Sequence, residues 1–426
     1  MCSGKNRTAL FLVATIFTHG IAWAQSQDSS VPQQKPTALV GEGKTLPEKV
    51  FRGRLLFKSA TATQAFSPDG KKEDSGFTLS AGAGAFVVEY GWSDAVSLQL
   101  VAPMVAFNKL AIDGAAFQKS SLYAKKYNEF VEAAAAKLVS DGLCLTVSAC
   151  LSGINENGLS LPFNSVLTLP TGEKLSVKAG VPIKDVAASL VTRAAIPTAG
   201  TTGLGDLELG ALVALADPVN GLWARDWAVN FSLGAGLRLP TGSFRDVPAA
   251  QRPTGRGTVD LGIRSNLDWA ASSAIVISWQ NQWESMLLPA KKSRTSLLDS
   301  TVLNNADVNS PGADNIANSA EFRRDDPRNV GFMKIALSPA DVSDALSRVL
   351  LNGQFKYDFE PRATLGGVEF SPESHLYSVQ AGLTLSALDF FLPVQWDIDY
   401  DVPLSGKNRN LAASVLTNTL KIYARF

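Results

Sequence analysis

Four stretches of this chain alternate apolar and polar residues with a strict period of two. In LPVQWDIDYDVP, Leu392, Val394, Trp396, Ile398, Tyr400 and Val402 share one face, while Gln395, Asp397, Asp399 and Asp401 share the other. WAVNFSLGAGLRLP sets Trp227, Val229, Phe231, Leu233, Ala235, Leu237 and Leu239 against Asn230, Ser232, Gly234, Gly236 and Arg238. TVDLGIRSNLDW opposes Val259, Leu261, Ile263, Leu267 and Trp269 to Asp260, Gly262, Arg264, Asn266 and Asp268. LLNGQFKYDFE opposes Leu351, Phe355, Tyr357 and Phe359 to Asn352, Gln354, Lys356, Asp358 and Glu360. Such alternation means a strand with one oily face. Soluble strands average about five or six residues, whereas a tilted strand crossing a bilayer needs about 9 to 11.

The polar face chooses between a soluble sandwich and a membrane barrel. In a sandwich it meets bulk water, where Gly234, Gly236 and Gly262 have no special use. In a narrow barrel, glycine and charged side chains share a confined interior. Trp227, Trp269, Trp283 and Tyr400 fall at or near strand ends, as girdle aromatics do. The expected fold is an all-β, transmembrane, antiparallel up-and-down β-barrel of about twelve strands, with ten to fourteen compatible with the pattern. TLSAGAGAFVVEY loses phase near Phe86, the expected place of a bulge. Short connections alternate with long ones, which predicts short periplasmic turns and long outer loops.

The chain opens with the three parts of a secretory signal: basic Lys5 and Arg7, apolar Ala9 to Phe17, and Ala22-Trp23-Ala24, over residues 1–24. Its apolar run is too short to span a bilayer as a helix. Residues 25–48 read as a flexible periplasmic lead-in, with entry into the lumen as the alternative, and 49–426 as the barrel. Export by this route predicts the outer membrane of a Gram-negative bacterium and lipid as the barrel's surroundings. The 39 basic residues balance 39 acidic ones, which excludes a nucleic-acid binder of the usual basic kind.

Residues 108–203 are too long for an ordinary loop and read as a structured insertion. Within them Tyr123, Tyr127, Phe130 and Leu138 recur at helical spacing up to Gly142, and PIKDVAASLVTRAAIP predicts a second short helix. The first helix either caps the barrel mouth as a gate or packs only on its own loop. Cys144 and Cys150, the cysteines left after cleavage, are candidates for a disulfide in an oxidising compartment.

No catalytic, cofactor or metal constellation assembles. His375, flanked by Ser374 and Ser378, is the one candidate base for a hydrolase. GLGDLELG lacks the downstream glycine of a dinucleotide site, and DVNSPGADN imitates a calcium loop only in part, with Asp307, Asn309 and Gly312 in place but Pro311 and Asn318 where oxygen ligands belong. Charged residues remain for the lumen: Arg52, Arg54, Asp206, Glu208, Arg238, Asp260, Arg264, Lys356, Asp358, Asp397, Asp399, Asp401, Lys421 and Arg425. Mixed signs there either brace the lumen with ion pairs or line a polar path for a solute.

VEYGWSDAVSLQLVAPM (Val88 to Met104), TGLGDLELGALVAL (Thr202 to Leu215), LGAGLRLPTGSF (Leu233 to Phe244) and GRGTVDLGIRSNLDW (Gly255 to Trp269) resemble the outer-membrane family named for the MetA pathway of phenol degradation. That resemblance implies a barrel for uptake of small apolar or aromatic compounds, with no catalytic residue. It makes Gly205, Asp206, Pro240, Thr241, Gly242, Gly257, Asp260 and Gly262 structural or lumenal. Phe426, with apolar residues two, four and six positions before it, resembles the C-terminal signature read by the barrel-assembly machinery. The expected function is a channel with a gated lumen. A structural or surface-interaction barrel closed by its loops is the alternative, and an outer-membrane hydrolase the least favoured.

Overall fold

A computed structural model describes residues 44–168, 174–194, 202–217, 229–243, 254–272, 274–293, 308–309, 319–325, 327–339, 346, 348–365, 368–387 and 393–425. The signal, the lead-in up to residue 43, Trp227, the Arg425 side chain and Phe426 lie outside the described residues.

Twelve strands form a closed antiparallel barrel. In chain order they are β1 (Val50–Phe66), β2 (Lys72–Ser93), β3 (Val96–Ile112), β4 (Leu207–Ala216), β5 (Val229–Leu239) and β6 (Val259–Ala270). They continue as β7 (Ile275–Leu288), β8 (Arg328–Leu337), β9 (Val349–Glu360), β10 (Ser374–Ala387), β11 (Val394–Lys407) and β12 (Arg409–Arg425). Each strand pairs with its sequence neighbours, and β1 also pairs with β12 from Val50↔Arg425 onward, so no edge is left among them.

Period-two alternation explains which side of the wall each residue takes. Phe51, Leu55 and Phe57 of β1, Trp279 and Trp283 of β7, and Trp396 and Tyr400 of β11 are exposed on the outer face. Arg52, Arg54, Gln280, Asp397 and Asp399 are buried on the inner one. An apolar exterior around a polar interior has its low-energy neighbour in lipid.

β2 departs from this rule. Its inward residues Phe77, Leu79, Ala81, Ala83, Ala85 and Val87 are apolar and buried, so both faces read as oily. This is why the alternation looks broken near Phe86, which points outward. The irregularities against β3 fall on either side of it, between Gly82 and Ala83 and between Gly91 and Ser93.

Glycines mark the opposite side. Gly210, Gly236 and Gly262 face one another across β4, β5 and β6 on the inward face. A Cβ at Gly236 would come within 2.8 Å of the Leu209 carbonyl oxygen, so the wall bends here more sharply than a side chain allows.

The insertion follows β3, which runs to Ile112, beyond the expected boundary at Asn108. It holds α1 (Gly114–Phe117), α2 (Ser121–Ser140), α3 (Val147–Asn157) and α4 (Ile183–Ala194). Ser120 caps α2 through the Tyr123 N–H, and the helix ends where Gly142 adopts φ of 71°. Tyr127, half-buried, packs with buried Phe130, Leu138, Cys150 and Ile154 into a small core of the insertion. Cys144 and Cys150 are joined by a disulfide.

Beyond the barrel rim, Ala290–Ser293, Ser319–Arg324, Ala363–Leu365 and Val368–Ser371 form a four-stranded sheet that extends the hairpins of β7 to β10. The long outer connections expected from the sequence thus carry strands of their own here.

Candidate functional site: the lumen and its cap

Side chains from β4 to β9 and β12 meet below the mouth on the insertion side as a continuous ionic network. Arg238 reaches Glu208 at 2.8 Å and Asp260 and Glu284 at 3.0 Å each. Arg324, from the rim extension, reaches Asp260 at 2.8 Å and Glu284 at 3.1 Å. Arg256 joins the same two carboxylates. Arg328 meets Asp358 at 3.0 Å, and Arg409 binds Asp358 at 2.9 Å and Glu360 at 3.2 Å. Thus five guanidinium groups oppose five carboxylates, and the ring carries no net charge.

Deeper in the barrel the pairing continues. Lys356 binds Asp401, Lys421 binds Asp397, and Arg52 and Arg54 both hold Glu89, the latter at 2.9 Å. Thr384 donates to Asp397 at 2.6 Å. Asp399 is buried, and Arg264 is half-buried. Buried charges persist only when paired, so these contacts brace the interior.

Asp206 plays a different part. It accepts the Gly242 N–H at 3.0 Å and the Arg256 N–H, which ties together the GLGD, PTG and GRG segments. Thr241 adds a bond to the Gly205 carbonyl at 2.9 Å, and Thr254 one to the Leu204 carbonyl at 2.6 Å. Burial pushes the Asp206 carboxyl up, against the pull of those two backbone N–H groups. Three motifs distant in sequence are therefore one junction at the rim.

The cap rests on the apolar side. Phe117 of α1, Leu122 of α2 and Val191 of α4 pack with Phe77, Leu79, Ala81 and Ala83 of β2, Val105 of β3 and Leu411 of β12. Phe77 and Phe117 meet edge to face with centroids 5.1 Å apart. Tyr123 packs against this cluster, while Tyr127, Phe130 and Leu138 belong to the insertion's own core. α2 thus packs on the barrel wall as well as on the insertion's own core. Below the cap, Leu56, Ala85, Val87 and Val101 continue the apolar strip along the inner wall.

At the other end, residues 44–49 lie under the β2–β3 turn. The Leu46 N–H donates to Ser97 Oγ at 2.6 Å and the Glu48 N–H to Asp94 Oδ1 at 2.9 Å, with Leu46 buried. The end of the lead-in is therefore seated against the barrel, which its polar composition did not disclose.

His375 stands on the outer face among Tyr357 and Phe359, with Nδ1 3.1 Å from the Tyr357 hydroxyl. Ser374 and Ser378 are buried on the inward side. Neither serine is within hydrogen-bond reach of the imidazole, so the hydrolase reading has no nucleophile–base pair among the described residues.

Sequence reasoning missed Glu89, Arg256, Glu284, Arg324, Arg328 and Arg409. Glu284 was within reach, since ISWQNQWES alternates Trp279 and Trp283 with Gln280, Gln282 and Glu284. Arg256 and Arg324 lie outside the membrane strands, where no period assigns a face.

No family model and no curated protein matches this chain, so the motif resemblance stands on its residues alone. Among solved structures, an outer-membrane channel from Pseudomonas putida F1 aligns at 11% identity with a TM-score of 0.53, covering 91% of this chain and 100% of its own. A deletion mutant of the monoaromatic hydrocarbon channel TodX aligns at 9% identity, covering 89% and 91%, with a TM-score of 0.36. A Pseudomonas aeruginosa FadL homologue aligns at 7% identity, covering 95% and 98%, also at 0.36. The last two fits are loose, while the first shares the fold. With its closed wall and apolar belt, this chain is a β-barrel of the Gram-negative outer membrane.

Proposed function

We propose that the protein is an outer-membrane channel admitting small apolar or aromatic solutes through a gated lumen. The apolar strip from the cap down β1 to β3 carries this reading: Leu79, Ala83, Val87, Val101 and Leu56 line the inner wall of an otherwise charged barrel. An apolar solute passing there exchanges water for hydrocarbon contact, worth about 25 cal/mol per Å² buried. The family resemblance of the GLGD, PTG and GTVDLG motifs points the same way. The insertion is the gate, because its apolar residues occupy the head of the strip.

The test is single-channel conductance of the refolded mature protein in planar bilayers, with and without deletion of Ala116 to Gly142. A gate predicts low conductance that rises on deletion, with block by added aromatic solute. Unchanged conductance would favour a surface-interaction barrel, a second reading motivated by Leu145, 96% exposed, and Phe163, 70% exposed, on the insertion.

Export and assembly belong to the same reading. Residues 1–24 act as the cleaved signal and Phe426 as the element recognised by the assembly machinery. N-terminal sequencing of the protein from outer membranes should begin at Gln25, and Phe426→Ala should lower the assembled amount.

A further inference from the structure

The outer face of β6 to β8 carries polar side chains where the wall meets acyl chains. Asn281 lies midway along the 14-residue β7, between exposed Trp279 and Trp283 on the lipid side. It stands opposite Ser265 of β6 and Gly331 of β8, and Asn329 lies two residues before Gly331 on the same face. All four are half-buried. Asn329 Nδ2 donates to Asn281 Oδ1 at 2.7 Å and to the Gln282 carbonyl at 3.4 Å, which uses both of its hydrogens. Among the described residues, the Asn281 Nδ2 hydrogens and the Asn329 Oδ1 are left without a hydrogen bond. Two donors and an acceptor thus face hydrocarbon, which can satisfy none of them. Beside them the wall is low, since a Cβ built at Gly331, or at Gly353 on β9, meets nothing within 4 Å.

We propose that this patch is where a second copy of the chain docks, side by side in the membrane. The leftover groups are reciprocal. Asn281 and Asn329 lie at one depth, because they bond to each other. A two-fold axis along the membrane normal therefore lets Asn281 Nδ2 of one protomer donate to the Asn329 Oδ1 of its partner, while the partner's Asn281 returns the bond. One pairing satisfies both amides on both copies. Acyl chains cannot do this, and lipid headgroups lie beyond the apolar belt. Gly331 and Gly353 let the two walls approach, as small residues do between membrane helices, and exposed Trp279 and Met333 surround the contact with apolar surface. The interface does not depend on what passes through the lumen.

Gly331→Cys places a thiol in the patch of a chain whose Cys144 and Cys150 are already joined. Copper-phenanthroline oxidation of intact outer membranes should link two such chains into a band of twice the protomer mass. Asn418→Cys, opposite Phe57 and Ile398 on the lipid face of β12, five strands from β7, is the collision control and should stay mostly unlinked. Adding Asn281→Leu and Asn329→Leu to Gly331→Cys should weaken the band roughly fivefold or more, because the reciprocal hydrogen bonds are lost.

A second measurement needs no substitution. The native chain, extracted with its own lipid into styrene–maleic acid particles, should show two protomers per particle by mass photometry. Equal linking of Asn418→Cys, a band indifferent to the two leucines, a linked product of any other mass, or one protomer per particle would overturn the proposal.

Discussion

Lys421 and Asp397 show how much a single side chain matters in this lumen. Both are buried and each is the other's ion-pair partner. Lys421→Met should destabilise the barrel by about 3 to 5 kcal/mol, because it strands a buried carboxylate. Lys421→Met with Asp397→Leu should recover most of that loss, and urea unfolding of the refolded protein in detergent reads both. Gly255→Ala is a second residue-scale case, since the added methyl would overlap the Asp206 carboxylate. It should lower the unfolding midpoint and loosen the junction of the three motifs. The alternation in the sequence already placed Asp397 and Lys421 on the polar face, but it could not say that they meet. Partnership depends on register, here Asp397↔Thr419 and Gln395↔Lys421, and register is fixed by turns that carry no periodic signal.

At the scale of elements, the strands were legible and the cap only partly so. α2 announces itself through helical spacing, the Ser120 cap and the Gly142 stop. α3 does not, because Val147–Asn157 begins inside the segment that reads most simply as a disulfide loop. Its signals, Thr146 accepting from the Ala149 N–H and Gly158 in the left-handed region, become persuasive only once the helix is known. The disulfide closes a small loop within the insertion, whose cysteines pack in the insertion's own core and not in the cluster on the barrel wall. Replacing Cys144 and Cys150 with Ser should speed proteolysis near exposed Leu145 and leave the urea midpoint of the barrel unchanged. A matching fall in that midpoint would mean that the insertion and the wall unfold together.

For the whole molecule, charge balance bears on permeation. Because the ionic ring pairs arginines and carboxylates in equal number, the open channel should discriminate weakly between small cations and anions. A reversal potential near zero in a potassium chloride gradient is the expected reading, and a value near the Nernst limit for either ion would contradict it. Fold class and strand number were readable because alternation over membrane-length strands is a property of the wall as a whole. The glycine bend and the capped apolar strip were not, because each depends on which residues of neighbouring strands stand opposite one another and on where the insertion packs.

Closure also bears on how the barrel forms. Most neighbouring strands pair across short connections, and β3 and β4 pair across the insertion, but the seam joins β1 to β12, from Val50↔Arg425 to Phe66↔Arg409, over nearly the full length of the chain. Such a contact carries the greatest loop entropy of any in the molecule and is the natural last step of folding. Until it forms, two of the longest strands, of 17 residues each, are open edges. The time between synthesis and sealing of that seam is when this chain is most exposed to mispairing with another copy of itself, so its yield should depend on concentration more steeply than its final stability suggests.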